Sequence, residues 1–226
     1  WGALKRWEEQ LETPLVQWIQ GRRAQLTPFA QRLMWAERQA RTRMRPQLEA
    51  LRAELQHAIV QARDATVEVL EVFASHDLGL PHLQALAARE HELHLSLRFA
   101  GSEEALRSLR DGRCNLAGFH VPRLPEGSPV FAKALRPLLQ PGVHKLIGSH
   151  WRRQGLMVRR LAQGPRCLAD LAGGAWRFVS REPGSGTRLL MDHLVEQARM
   201  APETIDGYFT RVERTHVAVA AAVASG

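Results

Sequence analysis

The stretch Ser180-Arg181-Glu182-Pro183-Gly184-Ser185-Gly186-Thr187-Arg188 carries the strongest chemical signal in the chain. It follows an apolar segment and precedes a helical pattern. Gly184 and Gly186 permit tight turning, so several backbone N–H groups can aim at one point. Ser185 and Thr187 add hydroxyls, and Arg181 or Arg188 adds positive charge. The start of the following helix supplies a further partial positive charge. Such a combination suits a bound anion. The Gly-x-x-x-x-Gly-Lys spacing of a nucleotide loop is absent, and the competing reading is an ordinary strand-to-helix turn with a Ser or Thr cap.

Similar turns occur elsewhere. Ser75-His76-Asp77 and Gly101-Ser102 each follow an apolar run and precede a helical one, and Thr215-His216 opens the final helical segment. In open parallel sheets ligands sit at the carboxyl ends of strands. Ser75, His76, Ser102 and Thr215 therefore join Arg181, Ser185, Gly186, Thr187 and Arg188 as candidate ligands of a small oxyanion. Each turn taken alone is more often just an N-cap, so the inference rests on their coincidence. Nucleophilic catalysis is not indicated: Ser185 lies in Gly-Ser-Gly rather than Gly-x-Ser-x-Gly. His91 and His94 do not form a metal pair, and no paired carboxylates stand out. No enzyme and no resident cofactor is expected.

The elements that must position these turns follow from periodicity. Residues 1–12 read as the end of a helix, with Trp1, Leu4, Trp7 and Leu11 on one face. Leu15–Ile19 and Ala24–Leu26 read as a hairpin around Gly21-Arg22-Arg23. Thr27-Pro28 opens a helix that runs to about residue 65. Its stripe of Leu26, Ala30, Leu33, Ala40, Met44, Leu48, Leu51, Leu55 and Ala62 resembles a heptad seam. Pro46 is expected to kink this helix. Its apolar stripe needs either a second copy of the chain or the flanking domains to cover it. Beyond residue 66, strands at 67–73, 93–99 and 114–121 alternate with helices at 79–89 and 102–110, which predicts a parallel sheet. Residues 122–145 are Pro-rich and read as an irregular crossing between lobes. Short strands are expected at 146–148, 155–159 and 176–180, and helices at 167–172, 186–198 and 215–224.

The chain has 226 residues, 45% hydrophobic and 24% charged, an ordinary globular balance. Lys plus Arg number 31 against 23 Asp plus Glu, a net charge of +8 that favours a polyanion or a small anionic ligand. Two cysteines, Cys114 and Cys167, without metal spacing fit a reducing, cytoplasmic setting better than a disulfide framework. No apolar run reaches membrane-spanning length, and the first residues lack a secretory core, so no membrane partner is expected. The chain begins at Trp1 rather than Met, and the natural start is expected upstream.

Two stretches carry a family resemblance. Leu4–Val16 followed by Gly21–Ala30 resembles the end of a LysR-type winged helix-turn-helix, its wing and the start of its linker helix. Arg32–Glu37 and Pro46–Glu49 are most similar to molybdate-responsive regulators. Ser75–Leu78, Ser180–Arg188 and Thr215–Ala220 resemble the periplasmic-binding-protein-like domain, of the molybdate or tungstate type, fused to such regulators. The resemblance implies an α/β fold of three parts: a partial winged helix over 1–27, a dimerising linker helix over 28–65, and a type 2 two-lobed binding domain with mostly parallel sheets over 66–226. It implies a homodimer whose DNA contacts include Lys5, Arg6, Arg22 and Arg23, with molybdate or tungstate as the bound effector. Glu12 departs from the pattern, standing where glycine is common. The first helices of the helix-turn-helix and the closing strand of the binding domain lie outside these residues. A solute-binding protein delivering an oxyanion to an ABC importer is the rival reading; the winged-helix stretch argues against it.

Overall fold

The computed structural model describes residues 1–18, 23–63, 67–75, 77, 79–123, 129–159 and 164–226, with the side chains of Pro46, Ala50 and His57 outside that description. The first helix, α1 (Gly2–Gln10), leads into an antiparallel pair of two-residue strands, β1 (Val16–Gln17) and β2 (Gln25–Leu26), in which Val16 faces Leu26. Glu8 ties the helix to the hairpin: its Oε1 accepts from Leu15 N at 2.6 Å and Val16 N at 3.2 Å. Glu12 adopts a φ of 48°, the left-handed region in which glycine is least strained. That is the physical reason glycine suits this position. The hairpin turn, with Arg22, lies outside the described residues.

Thr27 caps the long helix α2 (Pro28–Arg63), its Oγ1 accepting from Ala30 N at 3.2 Å. The 36-residue helix continues through Pro46 and spans roughly 54 Å at 1.5 Å per residue.

A parallel sheet follows, built as the alternation predicts. Strands β3 (Val69–Ala74), β4 (His94–Phe99) and β5 (Leu116–Ala117) lie in the order β4-β3-β5, and Val69 to Ala74 register with His94 to Phe99. Helices α3 (Gly79–His91) and α4 (Ser102–Arg110) make the crossovers. Val72, Leu95 and Leu97 pack with Ala87 of α3 to form one core. The expected third strand shrinks to Leu116–Ala117. The chain then passes close to β3, where a Cβ on Gly118 would stand 2.6 Å from the Ala74 Cβ.

The Pro-rich region departs from expectation. Pro129–Leu135 forms helix α5 and Arg136–Leu138 a 3-10 turn. Phe131, Leu135 and Leu138 bury against Leu106 of α4 in a second core. This stretch is therefore packed structure rather than an irregular crossing, because its apolar residues outweigh its prolines, which sit at element ends. The expected strands at 146–148 and 155–159 are absent: residues 144–159 carry no regular structure, and Leu146, Ile147 and Trp151 are exposed. Apolar content without ladder partners did not suffice there.

The second sheet pairs β6 (Ser180–Arg181) in parallel with β7 (Val212–Glu213). Helices α6 (Gly186–Gln197) and α7 (His216–Ser225) follow these strands, and Leu171, Met191, Val195, Ile205 and Tyr208 form the core beneath. Leu168–Leu171 is a 3-10 turn, and the strand expected at 176–180 begins only at its last residue. The long helix α2 packs against α7 and β4. Gln39 Nε2 donates to Ser225 Oγ at 2.6 Å, and Arg98 of β4 pairs with Glu54 at 2.9 Å. Intrachain packing therefore covers one face of α2, while Leu33, Met44, Leu48, Leu51 and Leu55 of the heptad stripe stay exposed. Among the described residues, no helix is long and apolar enough to cross a membrane.

Candidate functional site

The carboxyl ends of β3, β4 and β5 lead to Ser75, Gly101-Ser102 and His120, and the β6–α6 turn meets them there. The Glu103 amide of α4 donates to the Gly184 carbonyl at 3.2 Å. Gly101 backs onto the same turn: a Cβ added to it would lie 3.3 Å from Gly184 O and 3.5 Å from Ser185 N. A Cβ on Gly186 would approach Ser102 Oγ at 3.1 Å and the His120 Cβ at 3.2 Å. The absence of a side chain at both glycines is what lets two helix N-termini approach each other here. The first amides of a helix have no carbonyl partner within it, so the two turns direct donor groups and partial positive charge toward a shared place.

Ser102 is the inner wall of this place. It is fully buried, and its Oγ has no hydrogen-bond partner among the described residues. The same holds for His120 Nδ1. Burial, helped by Arg152 and His150 against the pull of Asp77, pushes the His120 imidazole down to about 4, so the ring is neutral near pH 7. Asp77 accepts from Gly79 N at 2.7 Å and lies 3.0 Å from His150 Nε2. Burial pushes its carboxyl upward, but the Gly79 amide, His150 and Arg152 together hold it below the usual range. Arg152 is the half-buried cation of the group; its own value is lowered by burial, against Asp77. The Gln154 amide reaches Thr187 Oγ1 at 3.3 Å, and with its oxygen on that side accepts from Arg152 Nη2 and Nε at 3.1 and 3.2 Å.

Several residues expected at the site face other partners. Ser185 is the N-cap of α6: its Oγ accepts from Arg188 N at 3.2 Å and donates to Glu182 O at 2.8 Å. Thr215 is likewise the cap of α7, accepting from Ala218 N at 3.1 Å. Arg181 donates Nε to Glu213 O at 3.1 Å and Nη2 to Arg214 O at 2.6 Å, which knits β6 to β7. Arg188 donates Nε to Asp192 at 2.7 Å and Nη1 to Ser180 Oγ and Tyr208 O, both at 3.2 Å, and lies 4.3 Å above the Tyr208 ring. Both guanidinium groups are thus engaged by the protein. Ser75 is buried at the end of β3, and His76 lies outside the described residues. Lys5, Arg6 and Arg23 are exposed on the N-terminal helix and hairpin.

Sequence reasoning missed His120, His150, Arg152 and Gln154. The position of His120, at the end of the third expected strand, was a usable signal under the strand-end rule. Arg152 had none, since it lies in a stretch without regular structure. The family model for the PBP superfamily domain matches residues 83–226. The chain belongs to the PBP superfamily. The matched region contains both turns, strands β4 and β5 and the second sheet, which makes this a ligand-binding type of domain. No curated protein and no solved structure matches the chain. In the PBP domain of this chain, the unpartnered hydroxyl of Ser102 thus lies where two strand-to-helix turns meet.

Proposed function

We propose that the chain belongs to a DNA-binding transcription regulator that senses a small oxyanion such as molybdate or tungstate. The observation that carries the sensing half is Ser102 Oγ, wholly buried and unpartnered between two helix N-termini. A buried hydroxyl without a partner costs free energy, and an oxyanion in contact with it would recover that cost. Thr187, Ser75 and the amides of Ser102, Gly186 and Thr187 at the starts of α4 and α6 add donors, while Arg152 balances the charge. Ser102 is sealed under Gly186 and His120, so the α4 and α6 turns separate to admit the ion and close over it. The regulatory half rests on the resemblance of residues 1–30 to a winged helix, with the exposed stripe of α2 joining two copies as a homodimer.

One contact supports a link between the two proposed halves. Glu213 is buried beside Arg181, and its carboxylate accepts from Arg43 Nε of α2 at 3.1 and 3.2 Å. A shift of the β6–α6 turn on ligand binding therefore pulls on the helix that would carry the DNA-binding end. Isothermal calorimetry of the whole natural protein with molybdate, tungstate and sulfate tests the sensor. A DNA-shift assay that weakens with salt and responds to the bound ion tests the regulator. Absence of heat with all three ions would sink the oxyanion assignment, and an ion-responsive protein without DNA affinity would point to solute delivery instead.

A further inference from the structure

Behind the anion site lies a cavity of about 380 Å³ that the oxyanion reading leaves unused. Its volume falls in the range of small-molecule pockets, roughly 300–1,000 Å³. Most of the wall is apolar, with Trp176, Phe178, Leu190 and Leu194 above the core formed by Leu171 and Met191, and Arg166, Arg177, Arg181 and Arg188 also line it. Gln154 and Thr187 also line it. These are the two residues joined at 3.3 Å beside Arg152, at the amino end of α6. The polar head site and the cavity therefore meet at Gln154 and Thr187.

We propose that the ligand of this site is an organic acid: a carboxylate whose oxygens take the place assigned above to the oxyanion, and whose unbranched apolar tail enters the cavity past Thr187. This rests on the anion reading and names its ligand class. A tetrahedral inorganic ion fills only the head site and leaves the apolar walls against water. A carboxylate with a tail covers Leu190, Leu194 and Trp176 and removes their surface from solvent, a gain proportional to the area buried.

The test is calorimetric titration of the protein with acetate, butyrate, hexanoate and octanoate alongside molybdate and sulfate. Affinity should rise about fourfold per added methylene until the cavity is full. Leu156, a half-exposed residue on the cavity rim, supplies a variant that should fold normally. Leu156→Asp should cut the gain per methylene at least by half. A series that stays flat with chain length while molybdate or sulfate binds would overturn this inference and leave the oxyanion reading standing. Binding of none of these ions would overturn both.

Discussion

At the start of α6, Ser185 stands outside the helix as its cap, and its hydroxyl is held between Arg188 N and Glu182 O. At the start of α4 the cap position belongs to Gly101, and Ser102 is the first residue inside the helix. A serine at that position cannot reach back to the amides a cap would bind, so the Ser102 hydroxyl is left unpartnered in the interior. The two turns share residue types and a strand-to-helix context, yet a displacement of one position separates a serine that builds the fold from one available to a ligand. The surroundings follow the same division. The α6 side is committed to structure through Arg188, Asp192 and Tyr208, where Tyr208 Oη donates to Asp192 at 2.6 Å. Where the turns meet, the unpaired groups are Ser102 Oγ of α4 and His120 Nδ1.

Experiments that remove one side at a time sharpen this division. The largest effect is expected from Arg188→Ala, which strips three charge-assisted bonds and the stacking on Tyr208. Urea unfolding should show a loss of at least about 3 kcal/mol, and a loss below 1 kcal/mol would mean that the α6 side is not the structural one. Next comes Gly186→Val at the contact between the turns. A Cβ there already presses Ser102 Oγ and the His120 Cβ, and overpacking costs about 1–3 kcal/mol. Anion affinity should fall at least tenfold in calorimetry, and unchanged affinity would separate the site from this contact.

The serines themselves give the direct comparison. Ser185→Ala should cost about 1 kcal/mol of stability, as loss of a cap does. Ser102→Ala should leave stability within about 0.5 kcal/mol, since an unsatisfied hydroxyl is removed, yet weaken anion binding about tenfold through the loss of one bond to a charged acceptor. The reverse pattern would break the distinction between the turns. The smallest effect concerns pH. His120 sits near 4 in the folded protein against an ordinary value of 6.5, so the unfolded chain takes up its proton first. The stability contributed by the neutral ring is therefore present above pH 6.5 and lost as pH falls toward 4. Thermal melts across that window should show the decline, and His120→Gln should flatten it.

How much of this was legible beforehand varied with the range of the interaction. The caps at Thr27, Ser185 and Thr215 and the bounds of α4 and α6 follow from short-range rules, because a cap bonds to amides two or three residues away. The parallel β4-β3-β5 sheet followed from alternating strand and helix patterns. The helix over Pro129–Leu135 was hidden by its prolines, and the missing strands at 146–148 and 155–159 show that apolar runs alone do not make a ladder.

From its own residue order, this protein determined where its helices begin, which glycines could turn tightly, and that serine-bearing turns stand at its strand ends. Only the tertiary structure decided that Gly101 and Gly186 bring two of those turns together, that Arg152 rather than Arg181 or Arg188 is the cation beside them, and that Ser102 rather than Ser185 keeps its hydroxyl unspent. The reason is distance along the chain: a cap is settled within one helical turn, whereas the approach of residue 102 to residue 186 depends on how two sheets and their helices pack.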